Sequence, residues 1–174
     1  TVTVTVPQRG EKKRLLDLLG QNLEVSQRAG DVALVELQEQ VKLPTLPRVV
    51  ECFDVSNLGP TDVVASMVQF RTGRPDKDHY RRFRIRTVRG QSDVGAMREV
   101  VQRRYGRLLR ERSPLPDLVL VDGGQPQLSA ALAAMRELGL TLPVVALAKK
   151  LEEVYTTDAM YPLRLPYASA ALKL

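Results

Sequence analysis

The sequence predicts an α/β fold with a mixed sheet flanked by helices, and three observations lead to that prediction. The 174 residues suffice for one domain with a single buried core. The apolar run LPDLVLVDGG is followed by a helical segment, 127–138, and by a second apolar run, 143–148, which is the pattern of a β-α-β unit with parallel strands. Upstream, three β-rich runs at 48–56, 62–70 and 80–88 are separated by turn signals, which indicates an antiparallel meander.

The first 45 residues form an extension to this core, which we assign to 46–174 within a single domain, 1–174. Alternating Thr and Val at 1–6 predict a strand. Leucines at helical spacing predict a helix from Glu11 to about Arg28, Gly30-Asp31 indicates a break, and a second short helix continues through Val41 until the prolines of LPTLP end it. No free amphipathic stripe in this pattern demands a partner.

The remaining elements follow from caps and apolar spacing. Ser92 is placed to cap a helix whose opposite face carries arginines. Its apolar stripe consists of Val94, Met97, Val101, Leu108 and Leu109. Gly139 terminates the helix at 127–138, residues 153–165 are compatible with a hairpin, and 168–174 begins a last helix, truncated at the end of the chain.

Charge is distributed unevenly along the chain. Between Arg71 and Arg112 there are 14 Lys and Arg against 5 Asp and Glu, whereas the whole chain has a net charge of +6. Such an excess favours a polyanionic partner, although a solvated charged face or an acidic protein would also fit. No apolar run is long enough to span a bilayer, and Cys52 is the only cysteine, so we expect no membrane association and a reducing, cytoplasmic location.

Two carboxylates stand where apolar strands would otherwise continue. Asp54 lies in VVECFDVS and Asp122 closes LVLVD. Acids on neighbouring strands can converge on a Mg²⁺ or Mn²⁺ ion, which takes oxygen ligands, offsets their repulsion and can polarise a phosphodiester. Strand-end caps or salt bridges to the abundant arginines are the alternatives. The Gly123-Gly124 pair permits close approach of a ligand and equally permits an ordinary strand-to-helix turn.

Several motifs in one order carry a resemblance that covers nearly the whole chain. They are ECFDVSN, YRRFRI, AMREVVQRRYGRLL, LPDLVLVDGGQPQLSAA and VVALAKKLEEVY. Together they resemble the C-terminal endonuclease domain of UvrC, the nuclease subunit of bacterial nucleotide excision repair. The resemblance implies a ribonuclease H-like fold and the 5′ incision beside a lesion in double-stranded DNA. It also implies delivery to UvrB on DNA after loading by UvrA.

The resemblance also implies roles for individual residues. Asp54 and Asp122 match the family's catalytic aspartates, with Asp54 as the main metal ligand. Glu51, Glu99 and Glu152 are less certain acids, because alternation puts Glu51 on the face opposite Asp54 and the other two can pair with Arg or Lys. The family's catalytic histidine follows the LKL segment, beyond Leu174, so we expect this chain to bind metal and DNA but to cut poorly. The single histidine, His79, matches no catalytic position, and we expect an exposed loop residue.

The basic stretch supplies the predicted DNA contacts. These are Arg81 and Arg82 in the YRRF motif, Arg98, Arg103 and Arg104 on the following helix, and Lys149 and Lys150 after the last core strand. A surface charge or an internal ion pair is the alternative for each. Two other functions remain open: an inactive ribonuclease H-like module that binds DNA or protein, and a nucleotide-binding enzyme that uses the glycines after Val121. No G-x-G-x-x-G or Walker sequence supports the last of these.

Overall fold

The structure, a computed structural model, describes residues 8–57, 63–86, 92–148, 153–157, 161–166 and 169–171, with backbone alone at 20, 22–29 and 57. Within these residues the helices are α1 (Glu11–Gln40), α2 (Asp93–Glu111) and α3 (Gln125–Glu137). The strands are β1 (Val49–Asn57), β2 (Val63–Arg71), β3 (Arg74–Pro75), β4 (Arg81–Arg84), β5 (Leu118–Asp122), β6 (Val144–Ala148), β7 (Glu153–Tyr155) and β8 (Leu163–Arg164).

The strands form one mixed sheet in the order β3-β2-β1-β5-β6-β7-β8, and β4 also pairs with β2. The strand β1 runs antiparallel to β2 and parallel to β5, and β5 runs parallel to β6. The hairpin predicted within 153–165 is present as β7 and β8. The predicted meander, β-α-β unit and mixed sheet are therefore confirmed, with the short strand β3 as an addition.

Each face of the sheet is covered by different helices. The helices α2 and α3 pack on one face, where alternate strand residues join the larger core, among them Phe53, Met67, Val119, Val121 and Ala146. The intervening residues belong to the other face, where the C-terminal half of α1 covers a smaller core that includes Leu37, Val50, Leu118, Val145 and Val154. This alternation follows from the two-residue period of a strand.

The prediction of two N-terminal helices is wrong, because α1 is continuous from Glu11 to Gln40. Gly30 lies inside this helix, where its α-carbon approaches the β2–β3 turn. A β-carbon at this position would lie 3.2 Å from the carbonyl oxygen of Thr72, which is tighter than ordinary packing. The glycine therefore permits close contact between helix and sheet rather than breaking the helix.

The N-terminal turns of α1 also differ from expectation. The side chains of Leu15, Leu16, Leu18 and Leu19 are all exposed, with Leu15 at 60%. The buried positions of this helix lie in its second half, at Ala33, Leu34 and Leu37. An apolar stripe is thus left uncovered by the described residues, contrary to the expectation that no such stripe exists.

The cap and most of the apolar stripe of α2 are confirmed. The Ser92 hydroxyl accepts a hydrogen bond of 3.2 Å from the N–H of Gly95 and so satisfies one of the free donors of the first turn. Met97, Val101 and Leu108 are buried as predicted, together with Val100 and Tyr105. The prediction is wrong for the other two members of the stripe, Val94 and Leu109, which are about 40% exposed.

The predicted strand at 1–6 and most of the predicted last helix lie outside the described residues. The division of the chain at residue 45 stays a prediction. In the part of the chain that the structure describes, no helix combines the length and the apolar character required to cross a bilayer.

Candidate metal and nucleic-acid site

The structure places Asp54 and Asp122 on neighbouring strands at the same level. The parallel register of β1 and β5 ends with the pair Phe53 and Val121, and the two aspartates are the next residue on each strand. Phe53 and Val121 are buried under α2 and α3, so alternation directs both aspartates to the opposite face. Since neighbouring strands lie about 4.8 Å apart, the two carboxylates can share one ligand.

A row of polar residues crosses this face of the sheet. Asp54 pairs with Ser66 on β2, and Ser66 pairs with Arg82 on β4. On the other side Asp122 pairs with Leu147 on β6. We call the side of the sheet that carries Asp54, Ser66, Arg82 and Asp122 the carboxylate face. The helix α1 covers only the half of this face near the starts of β1 and β5. The carboxylates of Asp54 and Asp122 are therefore half-buried.

The chemistry of the donors fits a divalent cation. Mg²⁺ keeps several waters and needs only one or two protein carboxylates, so Asp54 and Asp122 suffice as ligands. The Ser56 hydroxyl donates to Oδ2 of Asp54 at 3.3 Å and helps to orient that carboxylate. No cluster of three or more His, Cys, Asp or Glu suited to a metal occurs among the described residues, so the pair is the candidate.

The turn after Asp122 is built for a tight connection. Gly123 has a φ of 142°, and a β-carbon there would lie 2.7 Å from Cγ of Gln127. The N–H of Gly124 donates to Oε1 of Gln127 at 3.1 Å. Because Gln127 occupies this donor, the glycine pair does not present a free phosphate loop, which weakens the nucleotide-binding alternative.

The arginines of β4 point to two different faces. Phe83 packs into the core under α2, so alternation places Arg81 on that side and directs Arg82 and Arg84 to the carboxylate face. Arg81 donates to the carbonyl oxygens of Asp78 and Tyr80. For Arg82, no hydrogen bond or ion pair with another described residue is found, and its side chain is exposed. Ser66 and Arg84 are not among the site residues predicted from the sequence, although alternation around Phe83 places Arg84 on the same face as Arg82.

The three predicted DNA contacts on α2 lie across the sheet from the aspartates, because α2 packs on the opposite face. Each of them pairs with an acid: Arg98 with Glu137, Arg103 with Glu99, and Arg104 with Glu51. These three of the 14 Lys and Arg counted between Arg71 and Arg112 are thus paired internally. Lys149, Lys150 and Glu152 lie outside the described residues.

Glu51 lies on the face opposite Asp54, as alternation predicted, and it forms a buried ion pair beneath α2. Arg104 Nη2 lies 2.5 Å from Oε1 of Glu51, and the Tyr105 hydroxyl donates to Oε2 at 2.8 Å. The side chain of Glu51 is 2% exposed and that of Arg104 13%. Burial, followed by the Glu51 charge, raises the pKa of Tyr105 well above its usual value, so the hydroxyl keeps its proton.

The remaining titratable candidates lie away from the aspartate pair. His79 is exposed, as predicted, and its Nδ1 lies 2.9 Å from Oδ1 of Asp76. That contact is the main reason why the pKa of Asp76 is lowered. Burial, followed by the adjacent Glu51 charge, raises the pKa of the Cys52 thiol to about 12, so Cys52 is a neutral packing residue.

Comparison with known proteins places these features in a family. Residues 38–174 match the family described as the UvrC RNAse H endonuclease domain. The UvrABC system protein C of Methanospirillum hungatei is 51% identical over 98% of this chain and 33% of its own length. The corresponding protein of Chlorobium chlorochromatii is 43% identical over 99% of this chain and 30% of its own length.

The similar solved structures are more distant. Endonuclease V of Ciona intestinalis is 16% identical, with a TM-score of 0.45 over 74% of this chain and 58% of its own. Thermus thermophilus RuvC is 22% identical, with a TM-score of 0.30 over 56% of this chain and 60% of its own. The family match and the mixed sheet confirm the ribonuclease H-like fold. The chain spans about a third of the length of the UvrC relatives cited above, and it belongs to the UvrC ribonuclease H endonuclease domain family.

Proposed function

We propose that this chain is a divalent-metal-dependent DNA endonuclease domain that makes the 5′ incision beside a lesion in nucleotide excision repair. The observation that carries the proposal is the arrangement of Asp54 and Asp122 side by side on the part of one sheet face that α1 leaves uncovered. Family membership supports the repair setting, and the longer relatives are named for the UvrABC system. Double-stranded DNA held by UvrB after UvrA loading is the proposed substrate.

Different residues of the site would bind the metal and contact phosphate. Asp54 and Asp122 would hold Mg²⁺ or Mn²⁺, with water completing the coordination. The bound ion would supply charge stabilisation at the scissile phosphate. Ser56 keeps one oxygen of Asp54 engaged, which limits the orientations of that carboxylate. The sheet face next to Ser66 is basic, because Arg82 lies in the same row of the sheet.

Among the predicted DNA contacts, Arg82 is best placed for this role. It lies two strands from Asp54, roughly 10 Å between α-carbons, so its long side chain can reach a phosphate next to the one at the metal. Arg81, Arg98, Arg103 and Arg104 lie on the other side of the sheet, and DNA could reach them only around its edge. Contacts from Lys149 and Lys150, and the need for a histidine after Leu174, stay predictions.

Calorimetric titration with Mn²⁺ tests the metal site. The parent chain should bind Mn²⁺, and Asp54→Asn and Asp122→Asn should each weaken binding by at least tenfold, because each removes a charged ligand. Asp78→Asn is a matched control, since Asp78 is exposed in the turn before β4 and should leave binding unchanged. Unchanged binding in both site variants would refute the proposal and favour a module that retains the fold without metal chemistry.

A further inference from the structure

We propose that Arg84 is a second phosphate-binding residue on the carboxylate face, and that the Glu99–Arg103 pair of α2 is the positioning device that holds it there. This proposal rests on the proposed function, because it assumes that DNA passes over this face. It assigns Arg103 a structural task in place of the phosphate contact that its position in the sequence indicates. It also gives Glu99, a buried acid across the sheet from the metal site, a function in substrate binding.

The pairing of β4 with β2 determines the direction of Arg84. Val64 pairs with Arg84, and Ser66 with Arg82, while the alternate pairs Ala65–Phe83 and Met67–Arg81 belong to the opposite side. Arg82 and Arg84 therefore project from one face with a spacing of about 7 Å along the strand. Ser56 pairs with Val64, so Arg84 lies in the next row beyond the Asp54 row. Two arginines at this spacing can contact successive phosphates of one DNA strand.

The strand that carries these arginines pairs with β2 and needs further support, since β4 is only four residues long. Glu99 and Arg103 support β4 from the side of the sheet on which α2 packs. The N–H of Arg86 donates to both oxygens of Glu99, at 2.9 and 3.1 Å. Nη1 of Arg103 donates to the carbonyl oxygen of Arg84 at 2.7 Å and to Oε1 of Glu99 at 2.9 Å.

The side chain of Arg103 also makes a cation–π contact. Its guanidinium lies 5.8 Å from the centroid of the Phe83 ring, which itself packs against the core. With a ring, a carbonyl and a carboxylate as neighbours, Arg103 holds the end of β4 against α2. The pair thus fastens the backbone on both sides of Ile85 and fixes the strand from which Arg84 projects towards DNA.

The test is duplex DNA binding by fluorescence anisotropy over a series of KCl concentrations, in EDTA so that the result does not depend on the metal. Arg84→Ala should weaken binding and reduce the slope of log K against log salt by about 0.9, the value for one phosphate contact. Arg84→Lys should restore most of the slope. Arg110→Ala is the matched control: Arg110 is exposed on α2, across the sheet, and the slope should not change.

Two further variants separate positioning from direct contact. Arg103→Met should weaken binding in the parent but have no further effect in Arg84→Ala. A direct phosphate contact would remove another 0.9 or so from the slope of the double variant. Glu99→Gln should also weaken binding, although removal of a negative charge by itself would strengthen it. Circular dichroism and urea unfolding establish that each variant is folded.

The outcomes distinguish this proposal from the proposed function. An unchanged slope in Arg84→Ala, with DNA bound by the parent and Mn²⁺ bound through Asp54, would overturn the role of Arg84 and leave the metal site intact. Additive effects of Arg84→Ala and Arg103→Met, or tighter binding by Glu99→Gln, would overturn the positioning role. Failure of the parent to bind Mn²⁺, with the slopes of the arginine variants altered as expected, would count against the nuclease and not against the phosphate contacts.

Discussion

Replacing Arg104 with methionine should destabilise the domain by about 3–5 kcal/mol, because it leaves the Glu51 carboxylate buried without its counter-ion. The guanidinium contacts Oε1 of Glu51 at 2.5 and 3.2 Å and Oε2 at 3.3 Å. In the variant, the Glu51 carboxylate would lose the guanidinium and keep the hydrogen bond from the Tyr105 hydroxyl. Methionine retains most of the aliphatic volume of arginine, so the loss reports the charge rather than a cavity.

Urea unfolding followed by circular dichroism measures this cost. Arg110→Met is the control on the same helix, because Arg110 is exposed, and it should change the free energy of unfolding by no more than about 0.5 kcal/mol. Glu51→Gln combined with Arg104→Met should reduce the loss to about 1–3 kcal/mol, since a neutral amide replaces the buried charge. A double-mutant cycle of this kind separates the interaction from the individual substitutions.

The same variant decides whether Arg104 contacts DNA. If its only task is to neutralise Glu51, the folded Arg104→Met protein should show the parental salt dependence of DNA binding. A cost below about 1 kcal/mol, together with a salt slope reduced by about 0.9, would refute the assignment of Arg104 to the core and restore its sequence-based prediction as a phosphate contact.

Three further changes test the carboxylate face and its surroundings. In EDTA, Asp54→Asn should increase duplex DNA affinity in anisotropy titrations, because it removes a charge that repels phosphate; weaker binding would contradict the proposed path of DNA. Gly123→Ala should lower the free energy of unfolding by about 1–3 kcal/mol in urea, because its φ of 142° is essentially restricted to glycine, and should weaken Mn²⁺ binding through the adjacent Asp122. With a pKa of about 12, Cys52 should react with iodoacetamide at pH 8 about a thousandfold more slowly in the native protein than in urea. Comparable rates in the two states would show that the thiol is accessible as a thiolate.

Local patterns in the sequence were sufficient for the elements that carry the two aspartates. The run Leu118–Val121 is apolar throughout because a central parallel strand is buried on both faces, and the acid and glycines that follow mark its end. The N-cap at Ser92 was equally predictable, because its hydroxyl accepts a hydrogen bond from a residue only three positions away. Alternation along β1 also predicts that Glu51 and Asp54 lie on opposite faces of the sheet.

Other features depend on contacts between residues far apart in the chain. A glycine inside a helical pattern does not reveal whether it breaks the helix or admits a neighbour, and the approach of Thr72 to Gly30 decides this. The arginines at 98–104 indicate a basic surface. Two of them, however, pair with acids in other elements, Arg98 with Glu137 and Arg104 with Glu51. No local pattern predicts such pairs.

By itself, the sequence determined the α/β class and the strands that carry Asp54 and Asp122, because these depend on residues near one another in the chain. It also determined the family, because several motifs occur in one order along the chain. Only the tertiary structure decided which arginines share a face with the aspartates. Alternation assigns Arg82 and Arg84 to one side of β4, but the pairing of β4 with β2 and the packing of α2 on the other side determine that this side is the carboxylate face. Strand register and helix placement are long-range properties, set by burial of the whole core.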